Sequence, residues 1–253
     1  MHYEERINPE NTESVNFKRH FVRYQFASSY VRGKSVLDAG CGTGYGSCYL
    51  AELAHNVVGV DVDPEAIEYS KAHYRRPNLR FLLMDCEALG FPASSFDVVC
   101  GFEVIEHLSH SGKYLDEIRR ILKRGGLAIL STPNKTLSSP HAAPSNPHHV
   151  QEFDYRTFAA ILAERFSGVR IYGQRDSRSA QEAQRGTPVK RLLARMDPFG
   201  FRRLIPSGLY AKACRWAGFP LEHDLSFADF SIREDKPEES EYFVAVCTRD
   251  RGG

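Results

Sequence analysis

The sequence lacks the features that mark several common classes of protein. Its six cysteines form no C-x-x-C pair, so metal-cluster spacing is absent, and a disulfide framework is not expected in a chain of 253 residues. A formal net charge of +1 provides no global field that would attract nucleic acid or a membrane, and no nucleic-acid partner is expected. No apolar run approaches the length of a transmembrane helix, and the polar start MHYEERINPE does not resemble a signal peptide. A cytoplasmic location is therefore expected.

The sequence contains instead a series of apolar runs that alternate with amphipathic segments. Near-continuous hydrophobicity predicts strands that are covered on both faces, as in a parallel sheet. Seven runs fit this description: 35–39, 56–62, 79–84, 96–102, 127–132, 169–173 and 242–248. Between them, Asp63-Pro64-Glu65 has the cap, proline and early acid of a helix start, and 113–123 has apolar residues on one helical face.

This alternation predicts an α/β fold with a doubly wound, seven-stranded, mostly parallel sheet. Residues 1–173 and 241–253 are expected to form this domain. Residues 174–240 are predicted to form an inserted helical subdomain on the substrate side, before the last strand, with short helices at 188–196 and 207–217. The loop 133–150, rich in Pro, Ser, Asn and His, follows the fifth strand and is predicted to close over a ligand, with a helix at 153–162 as its anchor.

A glycine-dense turn follows the first predicted strand and is the strongest motif in the sequence. It runs Asp38-Ala39-Gly40-Cys41-Gly42-Thr43-Gly44-Tyr45-Gly46, and its glycines allow the backbone to approach a ligand closely. A dinucleotide-binding loop requires G-x-G-x-x-G, but the last position falls on Tyr45 counted from Gly40 and on Ser47 counted from Gly42. Asp38 would also repel a pyrophosphate, whereas it would attract a cofactor that carries an ammonium and a sulfonium group.

The turn resembles motif I of class I S-adenosylmethionine-dependent methyltransferases, and the resemblance continues at family spacing over about residues 32–170. It implies a Rossmann-like fold and S-adenosylmethionine as the cofactor. Asp61 is implied to bind both ribose hydroxyls, and Asp85 the adenine amino group. The full set of implied cofactor-binding residues is Asp38, Gly40, Cys41, Gly42, Gly44, Asp61, Val62, Asp85, Cys86, Phe102 and Glu103.

Five further segments resemble methyltransferases found with polysaccharide and glycolipid biosynthesis and, more distantly, the ubiquinone O-methyltransferases. They are 5–9, 19–20, 131–135, 146–153 and 242–247. The resemblance implies an O-methyltransferase that acts on a hydroxyl of a sugar, glycolipid or similar polyhydroxylated small molecule. Two alternatives remain open: an O- or N-methyltransferase of a secondary metabolite or quinone-type phenol, and a non-catalytic module with the cofactor fold.

A basic segment in the predicted insertion bears on the acceptor. Segment 185–203 has six basic residues against one acid, and it could hold a phosphate-bearing or lipid-linked acceptor. The alternative interpretation is a solvated helix face.

Acids and histidines follow the fourth and fifth predicted strands, at the edge where acceptors are expected. If a helix follows the fourth strand, Glu103, Glu106 and His107 share one face, and His149 in the next loop could complete a metal site. The ligand mix suits Mg²⁺, Mn²⁺ or Zn²⁺. The spacing is similar to the metal site of the small-RNA 2′-O-methyltransferases. The alternative has no metal: His149 acts as the general base, with His107 and Glu106 beside it.

Overall fold

The structure, a computed structural model, describes residues 9–138, 146–184 and 224–250. Part of the predicted loop 133–150, most of segment 5–9, the basic segment 185–203 and the predicted helices at 188–196 and 207–217 lie outside these residues.

Eight strands form one central sheet in the described part of the chain. They are β1 (Ser35–Ala39), β2 (Asn56–Asp61), β3 (Leu79–Leu83), β4 (Phe96–Phe102), β5 (Leu122–Pro133), β6 (Gly168–Asp176), β7 (Phe230–Arg233) and β8 (Tyr242–Thr248). Their order is β3-β2-β1-β4-β5-β8-β6-β7. The pairs among β1 to β5 are parallel, and β8 runs antiparallel to both β5 and β6. The predicted α/β fold with a mostly parallel sheet is confirmed.

Seven α-helices cover the sheet in this part of the chain. They are α1 (Val15–Val31), α2 (Tyr45–Leu50), α3 (Pro64–His73), α4 (Ser111–Ile121), α5 (Lys135–Ser138), α6 (Tyr155–Ala163) and α7 (Arg178–Gln184). Local sequence explains several starts. Asp63 caps α3 by accepting from the backbone N–H of Glu65, and Asp154 and Thr157 form a reciprocal capping box on α6.

The central strands are buried on both faces, as their near-continuous hydrophobicity predicts. Val36 and Leu37 are adjacent in β1 and both 0% exposed, but they belong to opposite layers of the core. Leu37 packs on the side of α4 and α6, while Val36 packs on the side of α1. No helix in the described ranges is long and apolar enough to cross a membrane.

The structure corrects the sequence prediction at two places. The predicted count of seven strands is wrong, because Phe230–Arg233 forms an eighth strand that pairs antiparallel with β6. This strand, together with the end of β6 at Asp176, lies inside the span 174–240 that was predicted to be helical. The fifth strand begins at Leu122 rather than at 127, since Leu122 already pairs with Phe96.

Candidate active site

An open cleft lies at the carboxyl ends of the parallel strands, where doubly wound folds bind their ligands. Its volume is about 1000 Å³, which is large for a single small-molecule site. Of the residues that the sequence assigns to a site, the cleft is lined by Gly40, Cys41, Gly42, Asp61, Val62, Asp85, Cys86, Phe102, Glu103, Glu106, His107 and His149. The structure therefore brings nine of the eleven predicted cofactor residues and the predicted acceptor residues to one cavity.

The glycine turn after β1 forms the floor of this cleft. Gly40 has a φ of +74°, and a Cβ built there would lie 2.4 Å from Cγ2 of Val104. Gly44 has a φ of +81°, and its Cβ would lie 2.6 Å from Oγ of Ser70. Both positions require glycine for backbone conformation and for space. The turn thus presents its backbone directly to a ligand.

Asp61 lies at the end of β2 and fixes the turn as well as facing the cleft. One carboxylate oxygen accepts from the backbone N–H of Gly42 at 2.8 Å, and the other accepts from that of Asp63 at 3.0 Å. Each carboxylate oxygen has a second lone-pair direction. Asp61 can therefore accept from ribose hydroxyls while it continues to hold the turn.

Asp38 and Gly44 are the two assigned cofactor residues that do not line the cleft. Asp38 is 0% exposed beneath the turn, where it accepts from Oγ of Ser47 at 2.6 Å and from the Tyr24 hydroxyl at 3.3 Å. Burial raises the pKa of Asp38 to about 7, although both hydrogen bonds act in the opposite direction. Its direct contact with the cofactor stays a prediction, and the structure shows it organising the turn.

The adenine end predicted from the sequence lies on the loop after β3. Asp85 accepts from the backbone N–H of Glu87 at 2.8 Å, and Glu87 in turn contacts Nδ1 of His110 at 3.0 Å. Burial raises the pKa of the Cys86 thiol to about 12, so this thiol is neutral. Cys86 therefore contributes a small apolar surface to the cleft.

One wall of the cleft comes from α1, and this role was not predicted from the sequence. Its contributions are Asn16, Arg19, His20 and Arg23, whose i, i+3, i+4 and i+7 spacing places them on one helical face. Arg19 forms a buried ion pair with Asp176 of β6. Arg23 is 1% exposed, and its Nη1 lies 3.3 Å from Oε1 of Glu103. The spacing of polar residues along this helix is the signal that could have identified the wall.

His20 joins α1 to the glycine turn. Its Nδ1 lies 2.6 Å from the hydroxyl of Tyr45, the first residue of α2. Burial lowers the pKa of His20 to about 3, with the charge of Arg23 adding to the effect. The ring is therefore neutral, and Tyr45 donates to it. This pair ties one wall of the cofactor end to its floor.

The predicted acid–histidine cluster is only partly assembled. Ligand atoms of Glu106, His107 and His149 lie within 4.8 Å of one another. Glu103 is not among them, because the chain turns at this residue with a φ of +55° and forms a 3-10 helix only at Ile105–His107. The predicted helical face that would align Glu103 with the others does not form. Glu103 instead accepts from Oγ of Ser131 at 2.7 Å.

Glu106 is buried in an unusual state. It is 1% exposed, Oε2 accepts from Oγ1 of Thr132 at 3.1 Å, and Oε1 has no hydrogen-bond partner among the described residues. Burial raises the pKa of Glu106 well above its usual range, and the charge of Glu103 raises it further. Oγ1 of Thr43, which also lines the cleft, is likewise buried without a partner in the described ranges. Such unpaired groups are costly unless a ligand satisfies them.

The residues after His149 join the two loops that carry the cluster. Nε2 of Gln151 donates to the backbone carbonyls of Ile105 at 3.1 Å and Leu108 at 2.8 Å. The backbone N–H groups of Val150 and Gln151 donate to the carbonyl of Glu106 at 2.9 and 3.2 Å. The turn after β4 and the segment after β5 are thereby held in one arrangement.

Comparison with known proteins gives a consistent assignment. The sequence profile of the family described as "Methyltransferase domain" matches residues 37–130. A protein of Mycolicibacterium smegmatis named "Probable S-adenosylmethionine-dependent methyltransferase" is 37% identical over 151 residues, which cover 59% of this chain and 58% of that protein. A ubiquinone biosynthesis O-methyltransferase of Cereibacter sphaeroides is 38% identical over 109 residues, 42% of this chain and 44% of that protein. The chain thus matches less than two thirds of the length of these relatives.

The solved structures agree on the fold. A SAM-dependent methyltransferase from Thermotoga maritima superposes with a TM-score of 0.60 at 14% identity, covering 93% of this chain and 92% of that one. The glycine turn after β1 and Asp61 at the end of β2 both lie within the matched residues 37–130. Residues 37–130 therefore match a methyltransferase-domain family, and the chain is similar to S-adenosylmethionine-dependent methyltransferases in sequence over this region and in fold.

Proposed function

We propose that this protein is an O-methyltransferase that transfers the methyl group of S-adenosylmethionine to a hydroxyl of a polyhydroxylated small molecule. The acceptor class that we favour is a sugar or glycolipid, including phosphate-bearing and lipid-linked forms. The observation that carries the proposal is the placement of His149 on the cleft wall, held by Glu152.

An alcohol is a poor nucleophile until its proton is removed, so an O-methyltransferase needs a base beside the acceptor. Nδ1 of His149 lies 3.1 Å from Oε1 of Glu152, and both side chains are largely buried, at 9% and 3% exposed. A carboxylate on Nδ1 fixes the ring and its tautomer, which leaves Nε2 to accept a proton. This pair can therefore act as a positioned general base.

The cofactor supplies a methyl group on a positively charged sulfur. Asp61 and Asp85 would hold the ribose and the adenine, and the backbone around Gly40 and Gly42 would lie against the methionine portion. Arg19 and Arg23 of α1 offer positive charge for its carboxylate. The chain's part in the transfer is then alignment of acceptor and donor and exclusion of water.

The polar character of the acceptor side favours a polyhydroxylated molecule. Glu106, His107, His148 and His149 line this end of the cleft, together with Asn146 and Ser138. The ubiquinone biosynthesis relatives favour the second candidate, a phenol of the quinone type. Both candidates share a hydroxyl acceptor. A divalent ion beside the acceptor is the alternative way to activate it, because the ion would lower the pKa of the hydroxyl. His149 would then bind the ion instead of acting as the base.

The proposal is tested by incubating the protein with S-adenosylmethionine carrying a labelled methyl group and a panel of acceptors. The panel contains glycosides, sugar phosphates, a catechol and matched amines, and products are identified by mass spectrometry. We expect a labelled methyl ether from a hydroxyl compound. Asp61→Ala, which removes the acceptor for two ribose hydroxyls, should abolish labelling at limiting cofactor and weaken S-adenosylhomocysteine binding at least about tenfold. Labelling of the amines alone would contradict the proposal.

Replacement of Gln151 by Glu is expected to slow methyl transfer without weakening the binding of the cofactor. The variant keeps the shape of the side chain but loses the two bonds to the Ile105 and Leu108 carbonyls. A small displacement of the catalytic groups is enough to cost about tenfold in kcat. The measurements are kcat with the acceptor found in the panel and the Kd of S-adenosylhomocysteine, which should stay unchanged.

Asn78 provides a matched control for this variant. Its Nδ2 donates to two backbone carbonyls, Ala51 at 2.8 Å and Ala54 at 3.2 Å, in a part of the molecule away from the cleft. Asn78→Asp removes the same chemistry, so it should lower the free energy of unfolding similarly and leave kcat unchanged. An equal loss of kcat in both variants would assign the effect to general destabilisation.

A further inference from the structure

The structure brings together three of the four metal ligands that the sequence predicts, Glu106, His107 and His149, without Glu103. One carboxylate and two imidazoles have ligand atoms within 4.8 Å of one another on the wall of a wide cleft. In a tetrahedral site with metal–nitrogen bonds of about 2.1 Å, ligand atoms lie about 3.4 Å apart, so a contraction of about an ångström would close the site. One carboxylate with two histidines is the donor set of open catalytic metal sites.

A second observation points to a ligand at this place. Oε1 of Glu106 is a buried carboxylate oxygen without a hydrogen-bond partner among the described residues, and its residue lines the cleft. A buried polar atom of this kind is costly unless a ligand satisfies it. Oε2 is held by Thr132, which orients the carboxylate.

Both imidazoles also carry the contacts that orient metal ligands. Nδ1 of His149 lies 3.1 Å from Oε1 of Glu152, and Nδ1 of His107 lies 3.2 Å from the backbone carbonyl of His148. In metal sites, a carboxylate or a carbonyl on one ring nitrogen fixes the ring so that the other nitrogen coordinates. The segment 148–152 therefore supplies one ligand and the outer contacts of both histidines.

We propose that Glu106, His107 and His149 bind one transition-metal ion, with Glu103 outside the coordination sphere. Two imidazole nitrogens favour Zn²⁺, Mn²⁺, Fe²⁺ or Co²⁺ over Mg²⁺ and Ca²⁺, which prefer all-oxygen sites. Three protein ligands leave positions open toward the cleft, where an acceptor oxygen can bind. That the oxygen bound at these open positions belongs to the methyl acceptor rests on the proposed function. The ion site itself does not depend on the proposed function.

The test uses Co²⁺ as a spectroscopic probe on the full chain after treatment with a chelator. We expect visible absorption that saturates at one ion per chain, is displaced by Zn²⁺ and is unaffected by excess Mg²⁺. Glu106→Gln should abolish the saturable signal, and Glu152→Gln should weaken Co²⁺ binding by about 10- to 100-fold. S-adenosylhomocysteine should still raise the Tm of both variants, which shows that they are folded.

His73→Ala is the matched control, because Nδ1 of His73 also contacts a backbone carbonyl, that of Tyr69 at 2.8 Å, away from the cleft. It should leave Co²⁺ binding unchanged. Absence of saturable binding, or equal affinity in Glu106→Gln and wild type, would overturn the metal site. Methyl transfer by the chelated enzyme would overturn the assignment of the acceptor oxygen to the ion and leave the proposed function standing, with His149 as the base. Saturable Co²⁺ binding without methylation of any hydroxyl would support the ion site and overturn the proposed function.

Discussion

Replacement of Gly46 by alanine is expected to lower the free energy of unfolding by about 3 kcal/mol, although alanine is the better helix former. Gly46 lies in α2, and a Cβ built there would lie 2.0 Å from Cζ of Tyr24. Helix propensity favours alanine by only about 1 kcal/mol, which is less than the cost of overpacking. The Tyr24 ring is 2% exposed and packs edge-on against Phe102 at 4.9 Å, so it has little room to move.

Chemical denaturation of wild type and variant measures this effect. Gly168→Ala is the control, since a Cβ there would meet only Thr248 at 3.5 Å, an ordinary contact. It should change the free energy of unfolding by less than about 0.5 kcal/mol. Because the Tyr24 hydroxyl contacts Asp38, Gly46→Ala should also weaken S-adenosylhomocysteine binding. A variant as stable as wild type would show that Tyr24 can leave its position at little cost.

A rise in pH from 5 to 8 is expected to destabilise the protein through Asp38. Burial raises the pKa of this carboxyl from 3.8 to about 7. Between about pH 4 and pH 7 the folded state holds a proton that the unfolded chain has lost, so stability falls as the pH rises. The cost is absent below the unfolded pKa and fully present above pH 7. At about 1.4 kcal/mol per pKa unit, it amounts to roughly 4 kcal/mol.

Asp38→Asn isolates this contribution, because an amide has no charge to bury. The difference in the free energy of unfolding between variant and wild type should shift toward the variant by about 3 kcal/mol between pH 5 and pH 8. Other titrating groups, such as His20, are common to both proteins and cancel in the difference. Denaturation curves at several pH values provide the measurement. A difference that is constant with pH would show that Asp38 ionises in the folded protein as it does in the unfolded chain.

The sequence predicts the central strands well, since their signal is local and strong. The bounds of β1, β4 and β8 are the predicted ones, because each is a continuous apolar run that ends at a polar or glycine residue. The strand β7 could not be found in this way. It has four residues, Phe-Ser-Ile-Arg, at the edge of the sheet, and its partner β6 lies far away in sequence.

The site residues also differ in how far local sequence determines their placement. Residues around the cofactor end follow single strands directly, and their spacing in the sequence fixes their placement. The acid–histidine cluster depends on the conformation of Glu103, whose positive φ ends the strand and prevents the expected helix. The hydrogen bonds that Gln151 donates to Ile105 and Leu108 join segments that are 46 and 43 residues apart in the sequence. Local patterns carry no information about such contacts.

The matched region of the family contains only part of the cleft that these joined segments form. The matched region 37–130 contains Glu106 and His107 but excludes α1, His149 and the residues that orient them. One wall of the cleft and most of the proposed acceptor side are therefore built by parts of the chain outside the shared signature. Two proteins can agree throughout that signature and still differ in the acceptor contacts that His149 and α1 would make. Similarity over 37–130 therefore bears on the proposed cofactor residues and says little about the acceptor, which lies against residues outside the matched region.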